Sequence, residues 1–209
     1  MEISEIGLYN YLADKDIDLL EKNVFQKKYK KGEEIYGPSK QCTYIHEIVN
    51  GAVKLGSIST KGVSVLHEIV TEKDFFGNLK LLENYNYSIK CATEKPKYVP
   101  EFSKAIVPSV IRFYNYNFIK NLIVNDTNVT KWFYATLANR WSKTESLFIC
   151  ILSLPSRERI QHIFDQYNES VNAGQQKKVC LTKFISNQDI ADLTGTTRQL
   201  VAETLKATK

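Results

Sequence analysis

The sequence predicts an α+β fold in which an antiparallel β-sandwich or barrel comes first and helices follow. Three observations carry that reading. Six of the nine glycines fall between residues 32 and 77, among short runs rich in β-branched and aromatic residues. Beyond residue 117 the apolar period lengthens from two to between three and four, and glycine is absent until Gly174. Two short helical patterns separated by Gly195 then close the sequence.

In chain order, Lys27, Lys28, Lys30 and Lys31, followed by Glu33 and Glu34, read as a strand and turn exposed to water. Residues 44–49, 52–55 and 63–70 read as strands of ordinary length. Asn50-Gly51 predicts a tight hairpin between the first two, because both central positions of that turn want positive φ. Thr60-Lys61-Gly62 predicts a second turn. Further strands are expected at 89–93 and 110–114. The segment holding Pro96, Pro100 and Pro108 reads as a long surface loop rather than sheet, since proline supplies no ladder donor.

Tyr134, Leu137, Trp141, Thr144, Phe148 and Ile151 recur at alternating spacings of three and four. That is the seam of a coiled coil, so a helix over 125–153 is predicted to pair with a second copy of itself. Asn125 or Asp126 can cap its start, and Pro155 stops it. Val129, Phe133 and Leu147 give the same helix a second apolar side, turned toward the barrel.

Residues 186–205 read as a helix-turn-helix. Ser186 with Asp189 resembles a capping box, and Ile190, Ala191 and Leu193 form a short buried face. Gly195 permits the sharp turn, and Thr196 restarts a helix on which Leu200, Val201 and Leu205 face inward. Thr197, Arg198, Gln199, Ala202 and Glu203 are left pointing out. Arg198 can pair with a guanine edge and Gln199 with adenine, while Thr196, Thr197 and Gln188 suit phosphates. Glu203 would repel phosphate unless it accepts from a cytosine amino group.

Composition bounds the alternatives. The 209 residues are 43% hydrophobic and 24% charged, with net charge +5, and residues 174–209 hold six basic against three acidic side chains. A basic carboxyl-terminal segment points weakly to phosphate partners. The longest apolar run, 147–152, is far too short to span a membrane, and the acidic amino terminus does not read as a secretory signal, so a cytoplasmic chain without membrane partners is expected. Cys42, Cys91, Cys150 and Cys180 lie tens of residues apart, which suggests reduced thiols and no metal site. No P-loop, nucleophile elbow, HExxH or Cys/His/Asp cluster appears, so neither an enzyme nor a cofactor is predicted.

Four motifs in order, Lys31-Gly32-Glu33 to Tyr36, residues 49–55, Phe75-Phe76-Gly77, and Ile190 through Arg198, make the chain resemble the Crp/Fnr family of bacterial transcription regulators. The resemblance implies an amino-terminal cyclic-nucleotide-binding-type β-roll (a jelly roll, or double-stranded β-helix) over 1–124, a dimerisation helix over 125–153, and a helix-turn-helix DNA-binding domain with a truncated or missing wing over 154–209. It implies a homodimer on a double-stranded DNA operator, with RNA polymerase as a further candidate partner. By the same resemblance, Gly77, Asn78, Ser88, Arg140 and Thr144 stand where effector contacts would be, although Arg140 also reads as a solvated helix charge and Thr144 as a seam residue.

The departures matter as well. Asn78 replaces the Glu of the family's phosphate cassette, and Tyr87-Ser88 replaces its Arg-Ser, so a cyclic phosphate would lack its cation and cAMP is not the expected effector. No cysteine precedes Cys42, which excludes the family's amino-terminal iron–sulfur sensor. His46 and His67, lone histidines in strands, read as packed or exposed rather than as haem ligands. Another small molecule, or no ligand at all, remains open. Arg198-Gln199 with Glu203 stands where many members have Arg-Glu and a second Arg, so a different half-site is expected. This sequence stops at Lys209, before the β-hairpin wing that usually follows; either it is a truncated product, or fewer phosphate contacts and a flatter salt dependence are expected. The alternative is a ligand-binding dimer with a degenerate DNA-binding region that acts through protein contacts.

Overall fold

A computed structural model describes residues 3, 7–38, 43–59, 61–77, 101–168, 170–173 and 177–207. The strand expected at 89–93, and Cys42, Asn78, Tyr87, Ser88 and Cys91, lie outside the described residues. Strands β1 (Val24–Tyr29), β2 (Glu34–Tyr36), β3 (Tyr44–Asn50), β4 (Ala52–Ile58), β5 (Ser64–Thr71), β6 (Phe75–Phe76), β7 (Glu101–Ala105) and β8 (Ser109–Asn115) form two antiparallel sheets, ordered β1-β8-β3-β6 and β2-β7-β4-β5. Between them lies a core of Tyr29, Ile35, Ile48, Val53, Leu55, Val70, Phe76, Ile111 and Phe113. Each such side chain contributes about 1.5–3 kcal/mol when fully buried. His46 is buried there too, stacked 4.8 Å from the Phe76 ring and edge-on to Phe113 at 4.7 Å.

Two expectations about this region are corrected. Asn50-Gly51 is not a hairpin: β3 pairs with β8 and β6, whereas β4 pairs with β5 and β7, so the chain passes there from one sheet to the other. Gly51 does take a positive φ of 103°, but that conformation serves a corner where Ser109 Oγ receives the Ala52 N–H at 3.2 Å. The proline-flanked segment contains a strand, β7, held between β2 and β4. The turn through Lys61 and Gly62 does close the β4–β5 hairpin, with Gly62 N donating to Ser59 O at 2.9 Å.

Helices α1 (Leu8–Ala13) and α2 (Ile17–Asn23) precede the strands. Asp16 caps α2 by accepting from Leu19 N at 2.9 Å. Leu8, Leu12 and Leu20 pack with Ile45, Phe75, Tyr114, Ile119 and Val129 in a second core. After β8 come α3 (Tyr116–Asn125) and the long α4 (Thr127–Ser153). Asp126 caps α4 through the N–H groups of Asn128 and Val129, and its other oxygen meets Lys15 Nζ at 2.6 Å. Pro155 ends α4 by holding Leu154 extended. The face carrying Val129 and Cys150 is buried, and Leu147 is partly so. Among the described residues no helix is long and apolar enough to cross a membrane.

The carboxyl-terminal region comprises α5 (Ser156–Gln166), the hairpin β9 (Ser170–Ala173) and β10 (Lys177–Cys180), a short 3-10 turn (Leu181–Lys183), α6 (Asn187–Thr194) and α7 (Arg198–Ala207). It shares one apolar core with the second sheet: Ala52, Leu66 and Ile69, with Val107 beyond β7, pack with Ile160, Ile163, Leu181, Ile190, Leu193 and Val201. That common core fixes where α6 and α7 stand relative to the sheets.

Candidate nucleic-acid interface

Local chemistry builds the α6–α7 pair. Ser186 Oγ accepts from Asp189 N at 3.1 Å, and Asp189 Oδ2 accepts from Ser186 N at 2.9 Å, so the capping box is complete with Asp in the third position. Gly195 ends α6 in the left-handed region at φ 61°, ψ 39°. The second helix begins at Arg198 rather than Thr196. Thr197 Oγ1 accepts from Leu200 N at 3.2 Å, the contact expected of a residue capping the helix start. Val201 is fully buried and Leu200 and Leu205 pack half-buried on the same core, so the expected inward face is present, with Thr204 buried beside it. Its hydroxyl is satisfied by Leu200 O at 2.8 Å.

The side chains singled out for base and phosphate contact are mostly exposed. Thr197, Arg198, Gln199, Glu203 and Gln188 are exposed, and Thr196 is half-buried with its hydroxyl 2.8 Å from that of Thr194. Gln199 Nε2 donates to Glu203 Oε1 at 2.9 Å, and Gln188 Nε2 to Asp192 Oδ1 at 2.7 Å. Both amides are thereby oriented. Their carbonyl oxygens and second amide protons are left for a ligand.

Polar contacts pin α6 to the second sheet. Lys54 Nζ lies 2.8 Å from Asp189 Oδ1, and Asp192 Oδ2 accepts from Leu66 N at 2.9 Å on the edge strand β5. Burial by itself would raise the Asp189 carboxyl, but Lys54 and the Ser186 donors outweigh it and hold the group below the usual carboxylate range. A carboxyl lowered on folding adds stability that is complete above its unfolded value, about 3.9, and is lost as pH falls through the folded value. Melting temperature is therefore expected to drop more steeply below about pH 4 in the native chain than in Asp189→Asn. Parallel profiles for the two proteins would show that the pair contributes nothing to docking.

On α4, the predicted seam separates from the packed side. Tyr134, Trp141 and Phe148 are 68%, 70% and 60% exposed, Thr144 is exposed, and Leu137 and Ile151 are half-buried. Arg140 is not a free helix charge: Nε and Nη2 engage Glu68 at 3.0 and 2.5 Å, and Nη1 donates to Phe75 O at 3.2 Å. Thr144 Oγ1 donates to Arg140 O within the helix. Gly77 follows β6 and is half-buried. Arg140 and Thr144 border a cavity of about 220 Å³ between β5, α4 and the carboxyl-terminal region.

Sequence reasoning missed Glu68, Lys54, Asp189 and Asp192 as the partners that organise this junction. One local device unites them. The β4–β5 register passes from Leu55 opposite Glu68 to Gly56 opposite Leu66, so His67 is the extra residue of a β-bulge. Leu66 on one side of it meets α6, and Glu68 on the other meets α4.

Comparisons with known proteins place this geometry in a known fold. Residues 26–96 match the cyclic nucleotide-binding domain family. A putative transcriptional regulator of the Crp/Fnr family from Eubacterium rectale superposes with a TM-score of 0.67 at 16% identity, covering 96% of this chain and 85% of that one. FixK2 from Bradyrhizobium japonicum gives 0.63 at 19% identity, covering 88% and 83%. The c-di-GMP responsive global regulator CLP from Xanthomonas campestris gives 0.62 at 14% identity, covering 92% and 89%. No curated protein sequence matches the chain. Over nearly its whole length the chain thus has the fold seen in Crp/Fnr transcriptional regulators, with the match to the cyclic nucleotide-binding domain model confined to residues 26–96.

Proposed function

We propose that this protein is a homodimeric, DNA-binding transcription regulator in which α7 reads base edges in the major groove. The observation that carries the reading is the exposure of Thr197, Arg198 and Gln199 together at the leading end of a helix whose other face is held inward by Val201 and Thr204. A structural helical hairpin has no need to present a guanidinium and an amide side by side at its leading end. Thr196 and Gln188 flank them for phosphates, and Glu203 stands one turn further on with its carboxylate already bonded to Gln199.

Pairing of α4 about a two-fold axis would set two copies of α7 on successive major grooves, about 34 Å apart. Asn78 and Tyr87-Ser88, in place of Glu and Arg-Ser, favour an effector other than cAMP. Such an effector would act by shifting the population of dimer geometries rather than by touching DNA. The chemistry is regulation, not catalysis.

The test is to select binding sites from a randomised DNA pool and compare the native chain with Arg198→Ala by fluorescence anisotropy. A bidentate arginine–guanine pair is worth about 2 kcal/mol, so affinity is expected to fall about thirtyfold for each half-site, with preference relaxed at one base position. Two-fold symmetric selected sites support the dimer. Equal affinity for native and variant proteins removes Arg198 from the interface.

A further inference from the structure

The cavity beside Arg140 has an unusual division of its walls. Its floor is apolar and buried, made by Ile69, Phe75, Ile163, Val171, Leu181 and Leu193. The rim is polar: Arg140, Lys143, Glu68 and Asp74 supply charges, and Gln166, His67 and Thr144 supply uncharged donors and acceptors. Leu181 and Leu193 belong to the recognition-helix region, so the cavity opens between the two halves of the molecule and not inside the sheet sandwich.

The charges on the rim cancel, and each is already engaged. Arg140 grips Glu68 through two nitrogens, and Lys143 Nζ lies 3.5 Å from Asp74. An anionic head group would have to displace a carboxylate from its cation and then sit beside it, which is costly in a partly desolvated site. An uncharged head meets no such penalty. Arg140 Nη1 donates one proton to Phe75 O at 3.2 Å and has a second to offer a ligand carbonyl, with the Glu68 pair left in place. The Gln166 amide is exposed at the rim and has no hydrogen-bond partner among the described residues. A volume of about 220 Å³ equals that of about seven liquid waters and accommodates a molecule of about ten heavy atoms.

We propose that this interdomain cavity is the effector site, and that it takes a small, net-neutral amphiphile whose apolar tail lies on Ile163, Val171, Leu181 and Leu193 and whose amide- or alcohol-type head is held at the rim by Arg140 and Gln166. The proposal rests on the regulator reading above for its consequence, because Leu193 is the neighbour of Asp192, which anchors α6 to Leu66. A tail pressing on Leu193 acts on the element that carries the recognition helix. By linkage, DNA and ligand then alter each other's affinity by the same factor.

Full-length protein is titrated with octanamide and octanoate, and with hydrocinnamamide and hydrocinnamate, which pair equal size with opposite charge state. Intrinsic fluorescence reads the binding, since Trp132 stands 4.6 Å edge-on from Phe75 on the cavity floor. The amides are expected to bind at least tenfold more tightly than their carboxylates and to raise the melting temperature. Leu147→Trp, which fills the cavity from α4, is expected to abolish that binding, and Gln166→Ala, at an exposed position that folding does not need, to weaken it several-fold. Carboxylates binding as well as amides, no binding of either amide, or amide binding untouched by both variants overturns the proposal. DNA affinity of the native chain and of Arg198→Ala is measured on the same preparations. Amide binding by a native chain that binds no DNA defeats the regulator reading alone, and DNA binding without amide binding defeats the cavity assignment alone.

Discussion

Trp141→Asp and Phe148→Asp, each introduced singly, are expected to leave the chain monomeric and to remove most of its affinity for a two-fold symmetric DNA site. Tyr134, Trp141 and Phe148 are at least 60% exposed on one face of α4, while the opposite face is anchored by Val129 and Cys150. Three large rings in a row on a single helix face exceed what scattered surface apolar residues amount to, and their heptad spacing suits a second copy of the same helix. Burying each ring yields about 1.5–3 kcal/mol, counted once from each chain. An aspartate at either position forfeits that gain and, next to the axis, sets two like charges against each other. A monomer presents one α7 where the dimer presents two, and losing the second, tethered contact lowers affinity by on the order of a hundredfold. Sedimentation equilibrium reads the mass, anisotropy reads the DNA affinity, and far-ultraviolet circular dichroism verifies that the exposed substitutions leave the fold intact. A dimeric mass in both variants would place the interface elsewhere, and undiminished DNA binding by a monomer would sever α4 from recognition.

Features that depend on neighbours in sequence were legible from the residues alone. The α6 capping box and the Gly195 turn are complete within ten residues, and α4 announces itself by its period, its Asp126 cap and its Pro155 stop. Features made by distant partners were not. Glu68 meets Arg140 across 72 positions, Leu66 meets Asp192 across 126, and Lys54 meets Asp189 across 135. Nothing in a local window marks either member of such a pair. Helices α1 and α2, six and seven residues long, are too short to display a period and owe their stability to packing against Ile119 and Val129. Strand β7 reads Glu-Phe-Ser-Lys-Ala, with no β-branched residue and a proline on its amino side, yet β4 and β2 flank it and hydrogen-bond it into the second sheet. Among the candidate site residues, Thr197, Arg198 and Gln199 could be named because exposure on a short helix follows from its buried face. The cavity could not, because its walls come from parts of the chain that only the fold brings together.

Gly51 shows the same division within a single residue: its positive φ was legible, whereas the sheet-to-sheet crossing it serves was not, and Gly51→Ala is expected to be among the most damaging single substitutions in the sheets. A Cβ at this position would stand 2.8 Å from Ser109 Cα and closer still to the Ser109 hydroxyl, with φ fixed at +103°. Backbone atoms cannot step aside as a side-chain tip can. The positive φ alone costs an alanine about 1–2 kcal/mol, and relieving the clash also disturbs the bond from Ala52 N to Ser109 Oγ and the bond from Ile106 N to Ala52 O. A total of about 3–4 kcal/mol corresponds to a melting temperature lower by about 10 °C in a chain of this size. Gly62→Ala is the control, because Gly62 also has a positive φ, 77°, but a Cβ there meets nothing within 4 Å. Its loss should stay near the backbone cost of about 1–2 kcal/mol. Since Ala52 belongs to the core shared with Ile190 and Val201, the Gly51 variant should also loosen α6 and α7, seen as faster amide exchange in those helices well below the melting transition. Equal destabilisation by the two alanines would mean that φ alone sets the cost, and that the crossing tolerates a side chain beside Ser109.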